Sequence, residues 1–274
     1  MFSRIIIIFF IFLVISTTAS EPQNNYNKIA DKIVQAALSE QKGYELLEQL
    51  CKIGHRLCGS QGSKKSIQWA IDTIDKMGFK LTKQTITVPV WDRGPVETAV
   101  ICNCKALQGK NLSICALGRS DGTPIKGINA SVLEVKSFAD LAEKAHQAKG
   151  KWIFFNKKTE NIANTFRIYG KSVGYRYYGS VYAKKYGGVG AIVRSITTRY
   201  DNVPHTGVMK YCPKIPGVSI GLKDADFLSK AIKKYPDLKL KITLSCRHLE
   251  HQPSCNIIAD LPGSTKPKEI VLVG

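Results

Sequence analysis

Beyond its first twenty residues the chain lacks any apolar run long enough to cross a bilayer as a helix, which takes about 20 consecutive apolar residues. It also lacks internal repeats and low-complexity tracts, so repeat architectures are excluded. There is no Cys-x-x-Cys pair of the zinc-ribbon kind and no His-Glu-x-x-His. Asp and Glu do not cluster in a way that builds a carboxylate-bridged metal pair, so no active site can be assembled from these residues. Acid is scarce altogether: 21 Asp and Glu stand against 40 Lys and Arg, a net charge of +19. Such a balance says nothing about fold, but it attracts polyanions such as nucleic acid, anionic lipid or sulfated sugar. The plainer reading is a basic, solvated surface.

What is present begins with an address. Arg4 precedes the apolar run Ile5 to Ile15, and the small residues Ser16-Thr17-Thr18-Ala19-Ser20 follow. This is the pattern of a secretory signal peptide over residues 1–20, and it predicts a secreted or lysosomal product without a membrane span. About 250 residues remain, enough for one large domain or two small ones. Eight cysteines in a secreted chain favour disulfides. Cys51–Cys58 and Cys246–Cys255 are the plausible local bridges, although eight cysteines allow about 105 pairings. Two sequons, at Asn111 and Asn129, fit a glycosylated surface.

Apolar spacing predicts helix over residues 27–52, a loop at Gly54 to Gly59, and a helix capped by Ser60 or Ser63 and stopped at Gly78. Lys80 to Val90 alternates as a strand, and Trp91-Asp-Arg-Gly-Pro95 reads as a turn and a candidate boundary. Short strands follow at Thr98–Cys102, Ser113–Leu117, Lys151–Phe155, Gly190–Arg194, Val218–Ile220 and Leu238–Leu244. Helices are expected at Ser137–Ala148, Ser180–Tyr186 and Asp224–Lys234. In the tail, Asn256–Leu261 and Glu269–Gly274 read as two apolar strands joined as a hairpin by residues 262–267. A buried-type strand at the last residue suggests that the chain is truncated.

Each chemical motif has a bland alternative. Gly118-Arg-Ser120-Asp-Gly122 and Gly170-Lys-Ser172-Val-Gly174 match a nucleophile elbow only in letters, because neither sits between a buried strand and a helix; they read as loop glycines. His248-Leu-Glu-His251 would need a helix to align its imidazoles, and Pro253 argues for a solvated linker instead. Gly187-Gly-Val-Gly190 precedes a strand, whereas a phosphate loop follows one, so it reads as a helix stop. Residues 151–200 interleave basic and aromatic side chains, as single-stranded nucleic-acid binders do, but without a module pattern. His55, His146 and His205 stand alone.

Several stretches taken in order are similar to the carboxypeptidase Q branch of the two-zinc exopeptidases. They are Arg56-Leu-Cys-Gly-Ser60, Val88-Pro-Val-Trp-Asp-Arg-Gly-Pro95, Gly170 to Arg176, Gly190-Ala-Ile-Val-Arg-Ser195, Pro204-His-Thr-Gly207, Pro213-Lys-Ile-Pro216 and Ser254 to Gly263 running into Glu269–Gly274. The resemblance implies an α/β fold: an incomplete zinc-exopeptidase domain (residues 21–95 and 248–274) with a β-rich protease-associated insert (residues 96–247). It implies two zinc ions, short peptides as substrates and a homodimer for the intact enzyme. It also implies that the metal ligands and the general base lie beyond Gly274, so this chain alone would bind no zinc and be inactive. The insert lies against the substrate cleft in that family, which makes His205 and Lys210 candidate contacts. Cys58 and Cys255 stand where the family more often has a small or aromatic residue. Two other readings compete: a naturally short, non-catalytic binding protein built on the insert, and a basic polyanion binder.

Overall fold

The computed structural model describes residues 23–158 and 165–274; the signal-peptide reading falls outside them. The chain forms two compact units, divided after Gly54. In the first, α1 (Gln23–Glu40) and α2 (Lys42–Lys52) replace the single expected helical stretch. They are separated by Gln41, whose φ of 50° breaks the helix.

The second unit opens with α3 (Gln61–Lys76), capped as the sequence indicates: the Ser60 side chain accepts from the Ser63 amide at 3.2 Å. Gly78, at φ 76°, ends it because only glycine adopts that left-handed geometry without cost. β1 (Lys80–Asp92) then pairs antiparallel with β9 (Arg247–Asp260) as a long two-stranded ribbon, its register shifting between Val88 and Val90. Trp91 and Asp92 therefore belong to β1 rather than to the expected turn. Pro253 is accommodated within β9 opposite Thr87. The tail is not a hairpin. β9 takes β1 as its neighbour, residues 262–274 form no strand, and Ile270, Val271, Leu272 and Val273 are largely exposed.

The chain between β1 and β9 forms a seven-stranded sheet. Its strands are β2 (Glu97–Ile101), β3 (Ile114–Ala116), β4 (Ile128–Val135), β5 (Trp152–Phe155), β6 (Gly190–Arg194), β7 (Gly217–Ile220) and β8 (Lys239–Leu244), in the order β2-β8-β4-β5-β6-β7-β3. β4 through β7 run parallel. The sheet curls nearly into a barrel, since the end strands touch: the Glu97 carboxylate accepts from the Ala116 amide at 2.8 Å, and Leu112 N–H donates to Ala99 O at 2.9 Å.

β5 and β6 are buried at every position, and the period-2 pleat sends alternate residues to opposite faces. Trp152, Phe154 and Ile192 pack with Leu228 and Ala231 of α7 (Leu222–Lys234). Ile153, Phe155, Ala191 and Val193 pack with Leu141 of α4 (Phe138–Glu143), Ala148 of α5 (Ala145–Ala148) and Ala183 of α6 (Thr165–Lys185). Phe138 stacks on Tyr182 with centroids 4.0 Å apart and meets Phe155 edge-on at 5.5 Å. Gly190 admits the Trp152 ring, because a Cβ there would lie 2.1 Å from it. Replacing Trp152 by Ala removes this packing and the indole hydrogen bond to Leu240 O. Trp152→Ala is expected to cost about 3–5 kcal/mol in urea unfolding, whereas Ile125→Ala, at a fully solvated side chain, stays within about 0.5 kcal/mol of the parent.

Candidate functional site

Parallel strands buried on both faces leave their ends as the only places for chemistry, and α/β sheets bind ligands outside the carboxyl ends. Here that end carries a polar network drawn from five elements. Arg194, the last residue of β6, is buried. Its Nη1 donates to Asp226 Oδ1 of α7 at 2.8 Å and to Asn156 Oδ1, just past β5, at 3.2 Å. Asn156 Nδ2 donates to Glu134 Oε1 of β4 at 2.6 Å, and Ser229 Oγ of α7 reaches both oxygens of the same carboxylate at 2.9 Å. Lys158 and Tyr200 complete the shell around Asp226, at 3.3 and 3.2 Å. The Arg194 Nε is buried without a partner.

Next to it, the Ser195 hydroxyl lies 2.9 Å from that of Ser219 and accepts from the His205 amide at 2.8 Å. This fixes the loop carrying Pro204-His-Thr-Gly207. Thr206 Oγ1 donates to Ala116 O at 2.8 Å. Gly207 lies against the Arg176 guanidinium, where a Cβ would stand 2.6 Å from Cζ. Arg176 in turn donates to Tyr169 Oη at 2.6 Å. His205 and Lys210 are both exposed on this one loop. Each has its own anchor: Lys210 N–H donates to Tyr177 O at 2.8 Å, and its ammonium sits 5.6 Å from the Tyr178 ring.

Three readings need correction. Gly170-Lys-Ser172-Val-Gly174 lies inside α6 rather than in a loop, because the aromatic and alanine face against β5 and β6 outweighs the helix penalty of two glycines. His248 and His251 lie in β9 rather than in a linker; the register shift falls between them, and His248 Nε2 meets Asp121 Oδ1 at 3.1 Å. All eight cysteines are free. Cys246 and Cys255 cannot bridge, since nine residues of extended strand separate them by roughly 30 Å, while a disulfide needs Cα atoms within about 7 Å. Burial pushes the Cys246 thiol up to about 12, with the Glu97 carboxylate adding to it. Cys51 and Cys58 are exposed and unpaired. Asn111 and Asn129 are both exposed. Gly118 to Gly122 is a turn, with Arg119 at φ 72°, and Gly187, at φ 78°, follows the end of α6 as a helix stop.

No group of three or more His, Cys, Asp or Glu side chains able to hold a metal occurs among the described residues. The donors present among the described residues do not fit a two-metal centre.

No protein-family model matches the chain. Its fold matches the structure of a peptidase M28 precursor from Shewanella amazonensis SB2B, with a TM-score of 0.81 and 33% identity over 89% of this chain and 55% of that one. The zinc aminopeptidase of Bacillus subtilis shares the fold at a TM-score of 0.52 and 19% identity. The fold is therefore the one seen in that M28 peptidase precursor. Among curated proteins, carboxypeptidase Q from Xenopus laevis is 33% identical over 260 residues, and that from Mus musculus 32% over 257. The chain is thus a relative of the carboxypeptidase Q-like M28 peptidases, and it spans about half the length of the curated relatives it matches (53% and 52%). Among the described residues no helix is long and apolar enough to cross a membrane.

The network at the strand ends was not foreseen from sequence. The one signal was an arginine closing the otherwise apolar run Gly190–Arg194. Burial raises the Asp226 carboxyl, but the hydrogen bonds and charges of Arg194 and Lys158 outweigh it and hold the group below its ordinary value. A lowered carboxyl contributes stability above its unfolded value, about 3.9, and loses it as pH falls through the folded value. Asp226→Asn, which leaves Arg194 without its counter-charge, is expected to cost roughly 3 kcal/mol at pH 7. That difference from the parent shrinks below about pH 4, as urea titrations across pH would record. Native alkylation at pH 8 is expected to label Cys51 and Cys58 and to spare Cys246, read by peptide mass mapping.

Proposed function

We propose that this chain is the N-terminal portion of a secreted, zinc-dependent exopeptidase acting on short peptides, and that it performs no hydrolysis alone. The observation that carries the reading is the 33% identity to carboxypeptidase Q across 91% of the chain. The match in fold to an M28 peptidase precursor supports it. In this reading residues 1–20 direct secretion and are removed, Asn111 and Asn129 carry glycans, and residues 96–247 form a protease-associated insert within the peptidase domain. The two zinc ions and the general base belong to sequence outside the 274 residues. Two-metal hydrolysis depends on ions that lower the pKa of a bound water and polarise the scissile carbonyl, so a chain without such a cage has no nucleophile. The insert supplies His205 and Lys210 to the peptide. Both project from one loop tied to the sheet through Ser195 and to α6 through Tyr177, which suits a contact that positions substrate.

The test joins the remaining half of Xenopus laevis carboxypeptidase Q after Gly274. The chimera is expected to hold zinc and cleave dipeptides in a chelator-sensitive way, while the 274-residue chain does neither. His205→Ala with Lys210→Ala in the chimera is expected to raise KM about ten-fold with little change in kcat. Stoichiometric zinc and chelator-sensitive cleavage by the 274-residue chain alone would overturn the proposal.

A further inference from the structure

The winding of the sheet sorts charge as well as chain direction. At the carboxyl ends of the parallel strands stand Glu134, Asp140, Asp201, Asp224 and Asp226, tied into the hydrogen bonds and ion pairs of that end. The opposite end, where β5 and β6 begin and α6 and α7 finish, collects lysines. Lys184 and Lys185 close α6, and Lys233 and Lys234 close α7. Lys149 and Lys151 flank the turn into β5, which meets the end of α6 through Gly150 N–H to Gly187 O at 2.8 Å and Val189 N–H to Lys151 O at 2.9 Å. Lys239 opens β8 opposite Ser131, one residue from the Val132–Trp152 pair, so it lies level with the start of β5. The loop carrying Lys105 and Lys110 reaches the same end, since Ile101 N–H donates to Lys110 O at 3.0 Å and Cys102 N–H to Lys239 O at 3.1 Å.

Four of these lysines have an ordinary explanation, because cations at helix C-termini complement the macrodipole. Of the remaining five, Lys149 caps the carboxyl end of α5 and Lys105 sits in the short 3-10 turn 105–107, while Lys110, Lys151 and Lys239 lie in loops or at a strand start and answer no helix end. Asp237 is the one acid in the segments 105–110, 149–151, 184–188 and 233–239. Among the described residues none of these lysines enters an ion pair, whereas Lys144 and Lys158 elsewhere on the unit do. Like charges gathered without counter-charges repel one another and raise the local concentration of anions. The cations are all lysine, compact ammonium point charges that suit tetrahedral sulfate groups, and none offers the planar fork that reads nucleic acid bidentately. The rings beside them are covered rather than open for base stacking: Lys185 lies over Tyr186 and Lys234 over Tyr235, at 5.3 and 5.4 Å from the ring centroids.

We infer that the pole of the sheet formed by the start of β5, the ends of α6 and α7 and the 105–110 loop is a docking surface for a linear sulfated polysaccharide. It lies where the parallel strands start, whereas His205 is tied to Ser195 just past the carboxyl end of β6, so a chain held there leaves His205 open. Bound polyanion neutralises the crowded ammonium groups and releases its own counterions, so affinity falls steeply with salt.

The test measures binding of the 274-residue chain to heparin by calorimetry across a series of NaCl concentrations. Desulfated heparin and a single-stranded RNA of equal charge serve as comparison ligands. Heparin is expected to bind most tightly, with log Kd rising linearly against log salt. Lys149→Gln, Lys151→Gln, Lys185→Gln and Lys239→Gln combined are expected to weaken binding on the order of ten-fold or more and to flatten the salt slope. The same four positions changed to Arg retain binding, and four Lys→Gln changes at Lys64, Lys65, Lys76 and Lys80 leave it unchanged. Thermal unfolding verifies that each variant is folded. Equal weakening by the two glutamine sets, tighter binding of RNA, or undiminished binding of desulfated heparin would overturn the assignment.

Discussion

Two strands without a solvent face set the terms for the rest of this molecule. Every residue from Trp152 to Phe155 and from Gly190 to Arg194 is buried. Both faces must therefore be covered by other elements, and α4, α5 and α6 on one side and α7 on the other supply the cover. Parallel strands buried this way need crossovers, and each crossover returns a helix antiparallel to its strand. Polar side chains are then excluded from the middle and displaced to the two ends. The network around Arg194 and the lysines of the opposite pole both lie where this packing leaves room for polar groups.

The kinship with carboxypeptidase Q extends over nearly all of this chain but over only about half of each relative. The described residues supply a well-anchored sheet with an ordered loop at His205 and no cluster of metal donors.

Much of the architecture was legible before the structure, and the misses have physical causes. Runs such as Trp-Ile-Phe-Phe and Gly-Ala-Ile-Val-Arg identify themselves because continuous apolarity bounded by glycine suits a buried strand. Ser60 and Gly78 mark α3 by cap chemistry alone. β4 went unseen because Ile128 to Val135 carries Asn129, Ser131 and Glu134 among its apolar residues; these lie on the open side or serve the polar network, a distinction invisible without the partners. Most of α6 was missed because Gly170, Gly174 and a run of tyrosines oppose helix on propensity, and only packing of Tyr175, Tyr182 and Ala183 against the sheet reverses that. The Glu269–Gly274 strand failed for the converse reason: apolar alternation forms a strand only where a ladder partner exists. The Arg194 network joins residues more than 60 positions apart, beyond the reach of any spacing rule.

The Arg93 side chain does more than fill a corner. Its Nη1 donates at once to Glu97, to the Cys115 sulfur and to the Ala116 carbonyl, while the neighbouring Trp91 indole donates to Ser120 O and Asp92 holds Arg247. Both arms of the ribbon are thus clamped at the seam where the first and last strands of the sheet meet. A clamped root makes the ribbon a stiff lever. A load applied to its far tip is delivered as torque to the seam instead of being absorbed by a hinge, so the ribbon and the sheet turn as one body.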